Sequence, residues 1–232
     1  MLAISNRVCY TKRMNTKEKK EALALLGTLY AGAKPALEYS TAYELLVAVM
    51  LSAQCTDARV NIVTRELFKK HNTPATMLTL SQSELERYIF SCGFYRNKAA
   101  HILSATRDVV ERFGGEVPST IEELMSLAGV GKKTANVVYS VWFGGAAIAV
   151  DTHVFRVSNR LGLAKGKTPL EVEAGLCKAI PKDNWSKAHH WLIYHGRRVC
   201  HSQKPDCERC TLSEFCEYFK SGKNVKKKPK TK

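Results

Sequence analysis

The sequence contains no apolar run close to the roughly 20 residues that a membrane-spanning helix needs. Its longest apolar stretch, LLVAVML at residues 45–51, is typical of a buried helix instead. The apolar part of the first seven residues, MLAISNR, is also too short for a secretory signal peptide. These absences argue against an integral membrane protein and against secretion through a cleaved signal.

Sustained strand alternation is also absent, and the sequence contains neither an internal repeat nor a proline-rich linker. Helical signals take their place. Ser81 with Glu84 and Thr120 with Glu123 form capping-box patterns, and the pair Gly114–Gly115 ends a long amphipathic segment. The predicted helices cover residues 40–54, 57–71, 81–92, 96–115, 121–127 and 132–143. The sequence therefore predicts an all-α protein.

Acidic residues are scarce at both ends of the chain. Residues 1–20 carry six basic residues and one acid, and residues 220–232 carry seven lysines and no acid. These segments supply +5 and +7 of the net charge of +15, so residues 21–219 are only mildly basic. We expect the lysine-rich end to be a solvated, disordered tail that favours a polyanion such as nucleic acid. The basic amino end is compatible with a transit peptide, and Met14 is an alternative start.

Four of the eight cysteines stand alone, whereas the other four fall within seventeen residues. This group, Cys200, Cys207, Cys210 and Cys216, has the spacing C-x6-C-x2-C-x5-C. Without a secretory signal, a metal in a reducing compartment is favoured over disulfides. Four thiolates suit either tetrahedral zinc or a [4Fe–4S] cluster, and their chemistry alone does not decide between the two.

A glycine pair separates two predicted helices within the stretch LAGVGKKTANVV, residues 127–138. Gly129 and Gly131 allow positive φ or a close backbone approach, so the chain can turn sharply here. The following helix presents its first free N–H groups and its positive dipole end at the turn. A hairpin of Gly129, Val130 and Gly131 can bind a DNA phosphate through backbone amides without reading sequence. An ordinary corner between two helices has the same spacing.

Two lysines, Lys132 and Lys133, occupy the first turn of that helix, where the helix dipole disfavours cations. Adjacent helical residues point about 100° apart, so one lysine can face a phosphate and the other a cleft. A neutral lysine amine is a nucleophile that forms a Schiff base with a carbonyl. From the residues alone, the alternative is that both lysines are simply solvated and that neither binds a phosphate or acts as a nucleophile.

Four features together resemble the endonuclease III family of helix-hairpin-helix DNA glycosylases. They are the stretches LAGVGKKTANVV, IAVDTHVFRVSNRLGL and HHWLIYHGRRVC and the cysteine spacing, and the similarity extends from about Lys19 to Tyr218. The resemblance implies an all-α fold of two lobes with DNA across the groove between them. Residues 35–145 would form a six-helix lobe that contains the hairpin. Residues 1–34 and 146–219 would form a second lobe, which carries a [4Fe–4S] cluster on the four grouped cysteines, and residues 220–232 would follow as the basic tail.

The resemblance also implies a reaction and its residues. The family's nucleophile matches Lys133, and its partner carboxylate matches Asp151 of the stretch VDTH. Lys133 would attack the sugar C1′, expel the damaged base and form an imine, after which β-elimination cleaves the strand. Asp151 would stabilise positive charge on the sugar or assist proton transfer, besides capping the helix that follows it. The implied activity is removal of oxidised pyrimidines from duplex DNA with cleavage of the abasic strand.

Three further positions match residues that the family uses around the displaced base. Gln54 matches a residue inserted into the space that the base leaves, Phe94 matches an apolar wedge, and His153 lines the pocket. Flipping costs a few kcal/mol of unstacking, so such plugs are physically required. The alternatives are a satisfied glutamine at a helix end, a core phenylalanine and a structural histidine.

Two departures from the family pattern concern DNA contacts. Ala128 stands where the family often has proline, which makes the hairpin slightly less rigid. The loop between the first two grouped cysteines is basic in the family, whereas here Lys204 is opposed by Asp206. The expected partner is nevertheless double-stranded DNA with damaged bases or abasic sites, bound by a monomer without membrane contact. In a bacterium or archaeon the protein would be cytoplasmic and nucleoid-associated; in a eukaryote it would be organellar or nuclear.

Other functions stay open at this point. An adenine-mismatch glycosylase carries a glutamate on its early helix, where this chain has Ala48, and lacks a lysine nucleophile at the position of Lys133. A pyrimidine-dimer or mismatch glycosylase of the same superfamily is a further alternative. A non-catalytic, zinc-containing DNA-binding module would keep the hairpin and cysteines without needing Lys133 and Asp151 together.

Overall fold

The computed structural model describes residues 13–222, and within this range the protein is helical with no β-strand, which confirms the all-α prediction. The basic amino-terminal extension and most of the lysine tail lie outside the described residues. None of the described helices is long and apolar enough to cross a membrane. The helices are α1 (Thr16–Leu29), α2 (Ala42–Leu51), α3 (Asp57–Leu67), α4 (Pro74–Met77), α5 (Gln82–Ile89), α6 (Tyr95–Phe113), α7 (Ile121–Met125), α8 (Lys132–Val141), α9 (Thr152–Leu161), α10 (Pro169–Ala179), a 3₁₀ turn (Lys182–Asn184), α11 (Trp185–Arg198) and α12 (Glu217–Lys220).

The chain divides into two compact units. The middle unit is Lys34–Ala149 and contains α2 to α8. The terminal unit joins the described residues up to Ala33 to those from Val150 to Gly222, and α1 packs against α11 although most of the sequence separates them. Each unit carries its own group of candidate functional residues.

The middle unit is organised around α2, of which nine of the ten residues are buried. That degree of burial requires neighbours on most sides, and α2 packs against α3, α6 and α8. Leu45, Leu46 and Leu51 are each no more than 1% exposed. The nearly all-apolar sequence therefore leads to a central helix, as the pattern predicts.

Local capping chemistry fixes where most of these helices begin. Thr41 and Ser81 cap α2 and α5 by accepting hydrogen bonds from the backbone N–H three residues later, and Glu84 completes the predicted capping box. Gly114 ends α6 with a φ of 61°, in the left-handed region that glycine adopts without strain. The predicted helices are nevertheless several residues too long at their polar carboxyl ends.

The terminal unit is organised around α9, which packs against α10, α11 and α12. Gly27 of α1 lies against α11, where an added Cβ would come within 3.1 Å of the Trp191 ring. Buried Glu217, at the start of α12, accepts a hydrogen bond from the Met14 N–H at 3.0 Å and pairs with Lys165. These contacts hold α1 to α11 and the residue Met14, just before α1, to α12.

Candidate functional site

The glycine turn between α7 and α8 uses its two glycines differently. Gly129 has a φ of 73°, and an added Cβ would lie 2.7 Å from Cβ of His101, so a larger residue is excluded twice over. Gly131 has an ordinary φ of −87°, and an added Cβ would contact nothing within 4 Å. Val130 between them is buried, and its N–H donates to the Leu127 carbonyl at 3.1 Å. The fold therefore favours glycine at position 129, whereas no contact with the described residues explains a glycine at position 131.

The amino end of α8 carries no side-chain cap. Gly131 is its N-cap, and the first helical hydrogen bond runs from the Ala135 N–H to the Gly131 carbonyl at 3.0 Å. The N–H groups of the residues between therefore precede the helical ladder and are directed out of its end. Lys133, the second helical residue, is exposed, and Lys132 is half-buried. Cationic side chains and free amides at one helix end form an arrangement that suits a phosphate.

Gln54 and Phe94 lie on two adjacent segments of the middle unit. An added Cβ at Gly93 would lie 3.5 Å from the Gln54 carbonyl oxygen, so the two backbones approach closely. Both residues adopt left-handed backbone conformations, with φ of 53° at Gln54 and 58° at Phe94. Phe94 is also 65% exposed, which excludes a core role for its ring. Left-handed conformations at residues other than glycine cost about 1–3 kcal/mol and cluster at functional sites.

Asp151 is the N-cap of α9 and its carboxylate is half-buried. Its Oδ1 accepts hydrogen bonds from the N–H groups of His153 at 2.9 Å and Val154 at 2.8 Å. Both capping bonds end on Oδ1, so Oδ2 is available for a second interaction. The predicted capping role is confirmed, and it occupies one of the two carboxylate oxygens.

His153 follows Asp151 in the first turn of α9 and is half-buried. Its Nδ1 lies 3.1 Å from Nη2 of Arg156. Burial lowers the pKa of the imidazole, while the Asp151 carboxylate opposes that effect. A lowered pKa favours a neutral ring at pH 7, so His153 can offer a hydrogen bond without adding charge beside Asp151.

The four grouped cysteines converge in the terminal unit, where they line one small cavity of about 20 Å³. Leu161, Val199 and Phe219 provide part of its apolar wall. Cys216 is buried and the other three thiols are half-buried. Burial raises the pKa of the Cys210 thiol to about 11 and also raises the pKa of Cys216. Ionising these thiols in such surroundings therefore requires a compensating cationic centre.

Several N–H groups are directed at the grouped sulfur atoms. The Leu212 amide donates to Cys210, and the Tyr218 and Phe219 amides donate to Cys216. Each of these bonds lowers the pKa of the thiol it reaches and so favours the thiolate form that binds metal. Four cysteine sulfurs with surrounding amide donors have the chemistry of a metal–thiolate site, although the described residues contain no preformed group of three or more metal ligands.

Two arginines of α9 hold the cysteine loop, a role that the sequence analysis did not predict. Arg156 donates to the Cys200 carbonyl and to the Gly196 carbonyl, each at 2.9 Å. Arg160, one helical turn later, donates to the His201 carbonyl at 2.5 Å and to the Ser202 carbonyl at 2.8 Å. Their spacing of four residues on one helix face is the sequence signal that was available.

Buried His195 links the cysteine site to α1. Its Nδ1 lies 3.0 Å from the Tyr30 hydroxyl, and its Nε2 lies 3.6 Å from Sγ of Cys210. Burial lowers the pKa of His195 to about 4. A neutral imidazole therefore connects α1 to a cysteine of the group.

Comparison with known proteins relates this geometry to one family. Residues 47–182 match the family described as HhH-GPD superfamily base excision DNA repair protein. Endonuclease III of Bacillus subtilis is 48% identical over 204 residues, which cover 88% of this chain and 93% of that protein. The chain belongs to the endonuclease III family. Endonuclease III of Escherichia coli is likewise 44% identical over 205 residues, 88% of this chain and 97% of that protein.

A solved endonuclease III structure has the same fold along nearly the whole chain. It is a trapped covalent intermediate of endonuclease III with DNA, with a TM-score of 0.87 and 45% identity. The match covers 90% of this chain and 99% of that one. The resemblance seen in the sequence is thereby confirmed, and the chain is a DNA glycosylase and abasic-site lyase of base excision repair.

Proposed function

We propose that this enzyme removes oxidised pyrimidines from duplex DNA and then cleaves the abasic strand through an imine on Lys133. The observation that carries the assignment is the exposed Lys133 at the uncapped amino end of α8, next to the glycine turn. Its position supports a nucleophile presented beside a phosphate-binding helix end. Endonuclease III relatives with 44–48% identity along most of the chain support the same reaction.

The chemistry uses the lone pair of a neutral Lys133 amine. Nζ forms a bond to C1′ of the damaged nucleotide, and the base leaves with the electron pair of the glycosidic bond and takes up a proton. The nitrogen gives up one proton after attack, and the ring oxygen O4′ then leaves C1′ and is protonated as the sugar opens to a protonated imine, in which Nζ keeps its other proton. Removal of a C2′ proton then drives β-elimination, in which the 3′ phosphate leaves with the C3′–O electron pair.

Asp151 supplies negative charge for the step in which the sugar becomes cationic. Because both capping bonds end on Oδ1, Oδ2 can interact with the sugar or accept a proton without loss of the helix cap. A fixed carboxylate directed at developing positive charge lowers the barrier most where water is excluded. His153 would line the base pocket as a neutral hydrogen-bonding group.

Gln54 and Phe94 are proposed to enter the duplex as the damaged base leaves. Both sit in left-handed backbone conformations on adjacent segments, and Phe94 exposes 65% of its surface. An exposed aromatic ring in a strained conformation fits an apolar wedge between bases, and a glutamine amide can hydrogen-bond to the unpaired partner base.

The hairpin is proposed to bind the DNA backbone through Gly131, Lys132 and the free amides of α8, with Gly129 and Val130 shaping the turn. Gly131→Ala should leave the free energy of unfolding within about 0.5 kcal/mol of wild type, because its φ is ordinary and no atom lies near. It should nevertheless weaken duplex binding, because a methyl group would stand where a phosphate approaches the amides. Gly129→Ala is the matched variant and should cost about 1–3 kcal/mol of stability. Unfolding curves and duplex affinity measured for both variants test this, and unchanged affinity in Gly131→Ala would contradict the phosphate assignment.

Cys200, Cys207, Cys210 and Cys216 are proposed to hold a [4Fe–4S] cluster, which would supply structural cross-linking of the loop between α11 and α12. We expect the purified protein to be yellow-brown and to contain about four irons per chain. Iron and acid-labile sulfide analysis measures this directly. Fully active, colourless protein with one zinc per chain would contradict the assignment.

A panel of duplexes tests the substrate class. Base release and strand cleavage should be fastest on duplexes with oxidised pyrimidines. Duplexes with pyrimidine dimers, with thymine mismatched to guanine, or with adenine opposite oxidised guanine should react slowly. A preference for one of these other substrates would move the chain to another activity of the superfamily.

A further inference from the structure

Lys98 is a buried lysine in the second turn of α6 that the proposed reaction does not use. It is 7% exposed, and its Nζ donates to the Leu51 carbonyl at 2.8 Å. Fully buried lysines are rare because an amine is costly to remove from water. The partner here is a neutral carbonyl rather than a carboxylate. Ion pairing therefore does not explain why a lysine is buried at this position.

The Leu51 carbonyl is the point where α2 ends and the segment that carries Gln54 begins. Leu51 is the last residue of α2, and the chain reaches the left-handed Gln54 three residues later. Carbonyls at the last turn of a helix lack helical partners, so the Lys98 amine supplies a donor that the backbone does not. Lys98 thus holds the start of the Gln54 segment.

Lys98 is equally tied to the segment that carries Phe94. Its own backbone N–H donates to the Phe94 carbonyl at 3.0 Å, in the first hydrogen bond of α6. Phe94 has positive φ and provides no side-chain cap. The Lys98 side chain therefore bonds to Leu51, where the Gln54 segment begins. Its backbone N–H bonds to Phe94 itself.

Each of the two segments also carries a cysteine near its left-handed residue. Cys92 is fully buried, Cys55 is half-buried, and their side chains share a hydrogen bond. Burial lowers the pKa of Lys98, and the charges of the two thiols oppose that effect. Cys55 follows Gln54 in sequence, and Cys92 precedes Phe94 by two residues. Each segment therefore contributes a thiol that interacts electrostatically with Lys98.

We propose that Lys98 is a positioning residue that holds the Gln54 and Phe94 segments in the conformation that enters DNA. The proposal rests on the proposed function, since it assumes that these two residues replace the displaced base. Each left-handed residue costs about 1–3 kcal/mol, so the conformation persists only where neighbouring contacts support it. The Lys98 side chain provides such a contact from inside the unit without touching DNA.

Lys98→Met keeps the length of the side chain and removes the donor. We expect the single-turnover rate of base release from a lesion-containing duplex to fall roughly tenfold or more, because base displacement costs a few kcal/mol and depends on the inserted residues. Borohydride trapping on a single-stranded abasic oligonucleotide should stay within about twofold of wild type, because that substrate has no base to displace. Lys70→Met, which removes an exposed lysine of the same unit, is the control and should change neither rate.

A fluorescent base reports insertion independently of chemistry. With 2-aminopurine opposite a reduced abasic analogue, wild-type protein at saturation should raise fluorescence by unstacking the probe, and Lys98→Met should raise it less. An equal loss in both rate assays, or wild-type fluorescence with a wild-type rate of base release, would overturn the proposal. If wild-type protein itself fails to trap abasic DNA, the proposed function fails instead.

Folding of the variant is checked by thermal unfolding. If Lys98→Met does not fold, Lys98→Arg retains N–H donors at the same position. In Lys98→Arg the rate of base release should fall less than in Lys98→Met, but it should still fall more than the rate of trapping. An Arg variant in which both rates fall together would also overturn the proposal.

Discussion

Lys133→Gln is expected to abolish borohydride cross-linking to abasic DNA while duplex binding is retained. Glutamine keeps the polarity and approximate length of the side chain but has no amine to form an imine. Removing a nucleophile lowers turnover by at least about 10³-fold, so strand cleavage should fall by that factor or more. Lys133 is exposed, so its replacement should leave the free energy of unfolding nearly unchanged. The cross-linked fraction on a denaturing gel and the duplex affinity are the two measurements.

The neighbouring lysine provides the matched control. Lys132→Gln removes the same charge one position earlier on α8, where the side chain is half-buried and points about 100° away. It should weaken duplex binding through lost phosphate contact and leave cross-linking intact at saturating protein. Strong cross-linking by Lys133→Gln, or its loss only in Lys132→Gln, would mean that the other lysine is the nucleophile.

Asp151→Asn is expected to lower the rate of base release by about 10²–10³-fold, as loss of one fixed electrostatic group does elsewhere. Asn and Asp are nearly equivalent N-caps, so the capping bonds to His153 and Val154 should persist. Stability should therefore fall by no more than about 1 kcal/mol, chiefly from the lost charge at the helix amino end. Single-turnover kinetics and thermal unfolding on the same preparation measure both effects.

Asp151→Ala separates the role of the carboxylate as a helix cap from its role in the chemistry. Alanine removes the cap as well as the charge and should cost about 0.5–2 kcal/mol of stability in addition to the rate loss. If Asp151→Asn keeps nearly the full rate and only Asp151→Ala is impaired, the carboxylate acts as a cap and the assigned role in chemistry is wrong.

Features that depend on a few adjacent residues could be predicted from the sequence. The apolar run of α2 predicts a central buried helix, and Ser81 with Glu84 predicts the start of α5, because each pattern specifies a local hydrogen bond or a buried face. The Asp151 cap follows the same rule. Helix ends were less predictable. α2 ends at Leu51 rather than near Gln54, because the Ser52 hydroxyl bonds back to Val49 and Gln54 adopts positive φ.

Features that depend on distant residues could not be read from local patterns. Lys98 lies in the stretch RNKAAHI, where a lysine would ordinarily be solvated, yet the fold places it beneath Leu51. Arg156 and Arg160 likewise resemble exposed residues of an amphipathic helix, although both bond to carbonyls of the cysteine loop some 40 residues later. Position 131 is the opposite case, since no contact with the described residues explains its glycine, and the proposed phosphate contact would explain it.

The central claim is that the Lys133 amine forms the covalent bond to DNA, and mapping the cross-link tests it most directly. Wild-type protein would be reduced with borohydride on an abasic duplex, digested with protease and nuclease, and analysed by tandem mass spectrometry. The account predicts one modified position, Lys133, with Lys132, Lys98 and the lysine-rich end unmodified. A cross-link on any other lysine, or no cross-link from active protein, would contradict it.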